Sequence, residues 1–161
     1  MYKTFIAAIL FSISVYAQTP VYFSQTLTQF TVPDGCSIDY DNEGLYIIRP
    51  DDGAVEITLQ ELSTDARTIS ERTLESVNDN FDDIQFDAQQ NEVFNGISVI
   101  LDAAQCTDRK SGNKLFIMIA VYEISETMCI QLVAQFTSEP TEKEVDLVRS
   151  VAESIEFISN N

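Results

Sequence analysis

Three consecutive stretches near the middle of the chain constrain the fold most, because apolar side chains occupy both of their faces. They are residues 97–106, 115–124 and 127–136. Short segments with turn-forming residues separate them, so the sequence predicts an antiparallel meander. An antiparallel sheet that is apolar on both faces must be covered on both faces.

The hairpin tip at Ser125-Glu126 predicts a register for this meander. On one side it pairs Val121 with Ile130, Ile119 with Leu132, Ile117 with Ala134, and Leu115 with Phe136. A five-residue loop over 109–113 would add Leu101 opposite Val121 and Ala103 opposite Ile119. The other side would carry Ile100, Tyr122, Met118, Phe116, Val133 and Ala104.

Two helical patterns supply the covers. In the first, Ile69, Thr73, Val77 and Phe81 recur at helical spacing behind a capping box at Thr68 and Glu71. In the second, a Thr141–Glu144 capping box precedes the stripe of Val145, Val148, Val151, Ala152 and Ile155. The predicted fold class is α+β, a three-layer α/β/α sandwich with a central antiparallel sheet and one helix on each face.

The first strands are marked by alternation and turns. Residues 36–40 and 45–48 flank a turn at 41–44, which predicts a hairpin. Val55, Ile57 and Leu59 then alternate with polar residues, which predicts a third strand with one polar face. Asn95-Gly96 predicts a two-residue hairpin turn.

The first 17 residues have the layout of a secretory signal peptide. Lys3 precedes a mostly apolar run, and small residues lead to a cleavage site between Ala17 and Gln18. The predicted organisation is a signal peptide over 1–17, a loose arm over 18–29 and a single domain over 30–161. We expect a periplasmic or secreted protein that is not inserted in a membrane in its mature form.

The charge of the chain restricts its partners. The formal net charge is −17, and loss of Lys3 with the signal peptide would make it one unit more negative. Such a charge repels nucleic acid and anionic lipid and favours a basic protein surface.

Histidine is absent from the sequence. This removes nucleophile–histidine pairs and the commonest general base, so we expect no enzymatic activity. No motif predicts a cofactor.

Acidic residues cluster in the first hairpin. Asp39, Asp41, Glu43 and Gly44 fit the first half of a Ca²⁺ loop, but Pro50 occupies the twelfth position, where a bidentate carboxylate is required. We therefore interpret the segment as an acidic turn without a metal. Asp39, Asp41 and Glu43 are the candidate protein-binding residues.

Two other groups of residues leave alternatives open. Arg109, Lys110 and Lys114 crowd one loop, either as an anion or partner contact or simply because the loop is exposed. For the three cysteines, the predicted register separates Cys106 from Cys129 by about 20 Å, beyond any disulfide. A bridge would have to involve Cys36, and otherwise all three are buried thiols.

The order of these elements resembles the Mog1/PsbP-like superfamily, which includes PsbP proteins, Mog1 and DcrB-like proteins. The similar segments are 32–36 before the first strand, 42–45 in the first hairpin and 154–157 at the last helix. Cys36 stands where family members usually have an aromatic residue. The resemblance implies binding, accessory or assembly roles and supplies no catalytic residues.

Three functions follow as hypotheses. The leading one is an exported, non-catalytic binding or accessory protein that engages a protein partner. The alternatives are a periplasmic immunity protein that neutralises a secreted toxin, and a hydrolase that uses paired carboxylates.

Overall fold

The structure is a computed structural model, and it describes residues 19–158 apart from residues 42 and 54. The predicted signal peptide and the predicted cleavage site at Ala17 and Gln18 lie outside the described residues. The elements are β1 Thr19–Phe23, β2 Thr28–Val32, β3 Cys36–Tyr40, β4 Leu45–Pro50, β5 Val55–Leu62, α1 Ala66–Asn80, β6 Phe81–Phe86, β7 Gln90–Phe94, β8 Ile97–Asp108, β9 Lys114–Ser125, β10 Met128–Phe136, α2 Glu142–Glu153 and β11 Glu156–Phe157.

The strands of the described residues form two antiparallel sheets. The large sheet has the order β3-β4-β5-β10-β9-β8-β6, and β7 also pairs with β8. The small sheet has the order β1-β2-β11. The mixed α/β class, the two helices and the large antiparallel sheet are therefore as predicted.

Alternate residues of β9 belong to two different hydrophobic clusters, because successive side chains of a strand point to opposite faces. One cluster contains Leu115, Ile117, Ile119 and Val121 together with residues of α1. The other contains Phe116, Met118, Ala120 and Tyr122 together with residues of α2, β1 and β2.

The predicted register of the meander is wrong by one residue. Ile130 lies opposite Tyr122 and Leu132 opposite Ala120, because Glu126 and Thr127 form the tip, one residue later than predicted, and the register then shifts between Met128 and Cys129. Ile124 is the additional residue at this shift, and the net displacement of one residue moves the side chains of β10 to the other face relative to β9. The pairing of β8 differs in the same way, since Leu101 lies opposite Ala120 and Ala103 opposite Met118.

The loose arm expected over 18–29 is instead, in its described part, strand β1 and the start of strand β2. Phe23 and Phe30 point into the core and are almost completely buried. Burial of two aromatic side chains stabilises an ordered hairpin by several kcal/mol, at roughly 1.5–3 kcal/mol each.

The two helix starts differ in how they match the sequence. Helix α2 has the predicted capping box between Thr141 and Glu144. Helix α1 begins three residues earlier than predicted, with Asp65 as its N-cap, and the Asp65 carboxylate accepts a hydrogen bond from the backbone N–H of Thr68. This bond, followed by one from the Thr68 hydroxyl, lowers the pKa of Asp65.

Candidate protein-interaction surface

The three predicted acidic residues lie on the hairpin formed by β3 and β4, which we call the acidic hairpin (residues 36–50). Asp39 and Glu43 are exposed. Asp41 has a different role, because its carboxylate accepts hydrogen bonds from the backbone N–H groups of Glu43 (2.9 Å) and Leu45 (2.8 Å). It therefore closes the turn and is less available to a partner.

Asp39 belongs to a short ladder of charges across three strands. Arg49 bonds the Asp39 carboxylate from Nη1 and the Glu56 carboxylate from Nε, both at 2.8 Å. These side chains are substantially exposed, so the ladder contributes little to stability, of the order of 0–1 kcal/mol for each pair. One cation shared by two carboxylates leaves the surface with a net negative charge.

Aromatic side chains support the opposite face of the acidic hairpin. The Tyr46 ring lies 5.3 Å from that of Phe23 and 5.5 Å from that of Phe30, and its hydroxyl donates to the backbone carbonyl of Tyr22 at 3.2 Å. Burial raises the pKa of Tyr46. The Tyr40 ring packs against that of Tyr46 in a tilted arrangement with a centroid distance of 4.7 Å, and Tyr40 is itself 62% exposed.

Glu61 fixes the turn between β1 and β2 above this surface. Its Oε1 atom accepts hydrogen bonds from the backbone N–H groups of Gln25 (3.0 Å) and Thr26 (2.6 Å), and from the Thr26 hydroxyl (2.8 Å). Sequence reasoning missed this residue. The alternation of Thr28, Phe30 and Val32 could have indicated the strand, but no local pattern indicates a contact across 35 residues.

A second candidate is a cleft of about 260 Å³ between α2 and the large sheet. Its apolar wall comes from the sheet and the helix, and its exposed lining residues include Asp87, Arg149 and Glu153. The end of α2 beside it is fixed, because Tyr122 donates to the carbonyl of Ala152 at 2.8 Å. The volume of this cleft lies just below the range of typical ligand pockets.

The buried carboxylate of Asp102 links three elements of the structure. It accepts hydrogen bonds from the Ser70 hydroxyl on α1 (3.1 Å) and from the Gln89 side-chain amide (3.1 and 3.2 Å). Both donors are neutral side chains. Because they lie on α1 and on the connection before β7, these hydrogen bonds join both segments to strand β8.

Arg109, in the loop between β8 and β9, makes a structural contact. This contact favours neither an anion or partner site nor a loop whose charges are simply exposed. Arg109 bonds the Asp82 carboxylate at 2.8 Å and also donates to the backbone carbonyls of Asp79 and Phe81. It therefore joins the loop between β8 and β9 to the end of α1. Lys110 is exposed.

The three cysteines are unpaired thiols in the structure, two of them buried. Burial raises the pKa of the Cys129 thiol to about 11, with a smaller contribution from Asp65. Burial also raises the pKa of Cys36, where Asp51 and Asp52 contribute as well. High thiol pKa values disfavour the reactive thiolate.

Within residues 19–158, no cluster of three or more acidic or cysteine side chains could hold a metal ion. In the same part of the chain, no helix is long and apolar enough to cross a membrane.

No family model matches the sequence, and no curated protein matches it. Solved structures do resemble it. The cyanobacterial PsbP of Synechocystis sp. PCC 6803 matches with a TM-score of 0.64 and 10% identity, over 91% of this chain and 96% of that one.

Two further structures are similar. LpqN, which is involved in cell envelope biogenesis of Mycobacterium tuberculosis, matches with a TM-score of 0.61 and 15% identity, over 86% of this chain and 89% of that one. The Saccharomyces cerevisiae Ran-binding protein Mog1p matches with a TM-score of 0.56 and 11% identity, over 86% and 94%.

A Bacteroides thetaiotaomicron structure with a TM-score of 0.56 is longer, and the chain spans 46% of its length. At these identities the likeness concerns the fold alone. The architecture and these comparisons agree with the resemblance seen in the sequence, and the chain has the Mog1/PsbP-like fold.

Proposed function

We propose that this chain is an exported, non-catalytic binding or accessory protein that engages a basic protein partner through the acidic hairpin. The observation that carries the proposal is the combination, on one rigidly supported hairpin, of exposed Asp39 and Glu43 with the exposed ring of Tyr40, which lies on the opposite face from Asp39. Tyrosine is enriched at protein interfaces, and rim charges of one sign accelerate association with an oppositely charged partner.

The fold supports the proposal in a general way. Mog1p is a Ran-binding protein, so this fold is compatible with a protein partner. LpqN is involved in cell envelope biogenesis, which is compatible with export of this chain. The sequence adds the predicted signal peptide and the net charge of −17.

The layer arrangement is part of the same proposal. We infer that α1 and α2 cover opposite faces of the large sheet, since alternate residues of β9 belong to the two clusters that contain these helices. This three-layer sandwich would leave the acidic hairpin at one end of the sheet, accessible to a partner.

The test is a comparison of two variants with equal charge. We would express the tagged chain in its own organism, isolate bound proteins at low salt, and release them with a salt gradient. The hairpin variant carries Asp39→Asn and Glu43→Gln. The control carries Glu75→Gln on α1 and Glu139→Gln before α2, both at exposed positions.

We expect a basic protein that the wild type and the control retain equally and that the hairpin variant loses at low salt. Screening shortens to about 3 Å at 1 M salt, so the wild-type complex should dissociate along the gradient. A bound protein that both variants retain equally would contradict the proposal, because the acidic residues would then act only as a solubilising surface.

A further inference from the structure

Strand β3 forms one end of the large sheet and pairs only with β4 among the described strands. The strand at an end of a sheet has a row of backbone groups that no neighbouring strand uses. The hydrogen-bonding pattern of the acidic hairpin determines which residues of β3 carry them.

Two recorded bonds fix that pattern. The backbone N–H of Asp51 donates to the carbonyl of Gly35 at 2.9 Å. The backbone N–H of Asp41 donates to the carbonyl of Leu45 at 3.0 Å. Along an antiparallel ladder, hydrogen-bonded pairs of residues alternate with pairs that are not hydrogen-bonded. Ser37 and Asp39 therefore direct their backbone N–H and C=O groups toward β4. Cys36, Ile38 and Tyr40 then direct theirs outward. Pro50 lies opposite Cys36, at a position where its missing N–H is not needed.

The opposite end of the large sheet is less suited to another strand. It is divided between β6 and β7, and β6 has a register shift between Asp82 and Gln85. Asp83 within that shift has a φ of 49°. Bulges of this kind interrupt the regular row of backbone groups. Strand β3 pairs over its five residues without a register shift.

We propose that an extended basic segment of a partner protein adds to the large sheet as a strand next to β3. Its backbone would bond the outward groups of Ile38 and Tyr40, whose side chains are 37% and 62% exposed. This inference rests on the proposed function, because it takes the partner to be basic, and it specifies how that partner binds.

Charge selects the occupant of this edge. Asp34 and Asp51 lie near the start of β3, and Asp39 and Glu43 lie near its end. A second copy of the chain would bring these carboxylates together on a molecule with a net charge of −17. Lysines at alternate positions of an added strand would instead lie near the acidic residues at both ends of β3.

The test uses a synthetic peptide of alternating lysine and valine, added to the ¹⁵N-labelled protein and followed by NMR. A second peptide with the same side chains is N-methylated along its backbone, so it keeps the charge but cannot donate to a strand. We expect the first peptide to shift the amide signals of Cys36, Ile38 and Tyr40 and to slow their hydrogen exchange at least about 10-fold. The methylated peptide should do neither.

Ile38→Pro removes one outward N–H and leaves the β3–β4 bonds intact, since proline is tolerated on edge strands. Val93→Pro is its control: Val93 is 66% exposed on β7, and its N–H points away from β8 because Phe94 and Ile97 flank a two-residue turn. We expect Ile38→Pro to weaken peptide binding at least about 10-fold and Val93→Pro to leave it unchanged.

Equal binding of the two peptides, or signal shifts confined to residues outside the acidic hairpin, would overturn the strand addition even if Ile38→Pro failed to fold. Suppose that both peptides bind equally, and that both bind more weakly at high salt and to the Asp39→Asn, Glu43→Gln variant. The strand addition would then be wrong, but the proposed binding of a basic partner by the acidic hairpin would be supported. Self-association through β3 without peptide would overturn the inference as well.

Discussion

Two halves of the large sheet use their strands in different ways. In the covered half, formed by β8, β9 and β10, both faces carry apolar residues that belong to the two hydrophobic clusters. In the open half, formed by β3, β4 and β5, Val55, Ile57 and Leu59 are buried on one face, while Glu56, Thr58 and Gln60 alternate with them on the other.

This difference separates stability from recognition. The covered half contributes the packing that holds the molecule together, because close-packed apolar side chains tolerate little change. The open half contributes charges, exposed rings and the free strand edge. Helix α1 packs against β6, β8, β9 and β10, whereas the acidic hairpin lies at the other end of the large sheet.

The largest expected difference between the halves is in the cost of a cavity. Ile119 in the covered half is 2% exposed, whereas Ile47 on β4 is partly exposed. We expect Ile119→Ala to lower the free energy of unfolding by about 2–5 kcal/mol and Ile47→Ala by no more than about 1 kcal/mol. Urea unfolding measures both, and equal losses would show that the halves are packed alike.

The cysteines allow the same comparison without mutation. At neutral pH the fraction of Cys129 present as thiolate should be well below that of an ordinary thiol, because burial raises its pKa to about 11. We expect iodoacetamide to modify Cys36 in the open half well before Cys129, as peptide mass spectrometry would show. In urea the two should react alike, and early modification of Cys129 in the native protein would contradict its burial.

Two glutamates on β5 sharpen the comparison within one strand. Glu61 accepts three hydrogen bonds from the turn before β2, whereas Glu56 pairs with the partly exposed side chain of Arg49. We expect Glu61→Ala to cost about 1.5–3 kcal/mol and Glu56→Ala at most about 1 kcal/mol. Thermal unfolding would test this, and a negligible effect of Glu61→Ala would mean that the N-terminal hairpin is held by its aromatic residues alone.

The smallest expected effect concerns pH and the start of α1. Hydrogen bonds from Thr68 lower the pKa of Asp65 in the folded state. The cap therefore stabilises the protein above the ordinary aspartate pKa of 3.8, and this contribution is lost as the pH falls through the lower folded value. Asp65→Asn keeps a good cap that does not titrate.

We expect the melting temperature of Asp65→Asn to fall less steeply between pH 5 and pH 2 than that of the wild type. Glu75→Gln, an exposed position on the same helix, controls for the general loss of one acidic group. Identical pH profiles for Asp65→Asn and the wild type would show that the cap does not contribute to acid sensitivity.

Local patterns in the sequence predicted much of the fold. The alternation of β5, the Asn95-Gly96 turn and the Thr141–Glu144 capping box each depend on neighbouring residues, and each is present in the structure. The apolar character of both meander faces likewise depends on composition, so it survived a register that was wrong by one residue.

Long-range contacts could not be predicted in this way. The shift at Met128 and Cys129 depends on how the hairpin tip closes, and the anchoring of the β1–β2 turn depends on Glu61, far along the chain. At the candidate site, the sequence placed three carboxylates on one hairpin. It could not show that Asp41 closes the turn or that Asp39 shares Arg49 with Glu56.

The central claim is that the open half is the recognition surface, and hydrogen exchange of the protein with and without its captured partner tests it most directly. Mass spectrometry of peptides covering the chain would report where exchange slows. The account predicts slowing over residues 36–50, with little change over α1. Slowing confined to α1, or to the cleft beside α2, with the acidic hairpin unchanged, would contradict it.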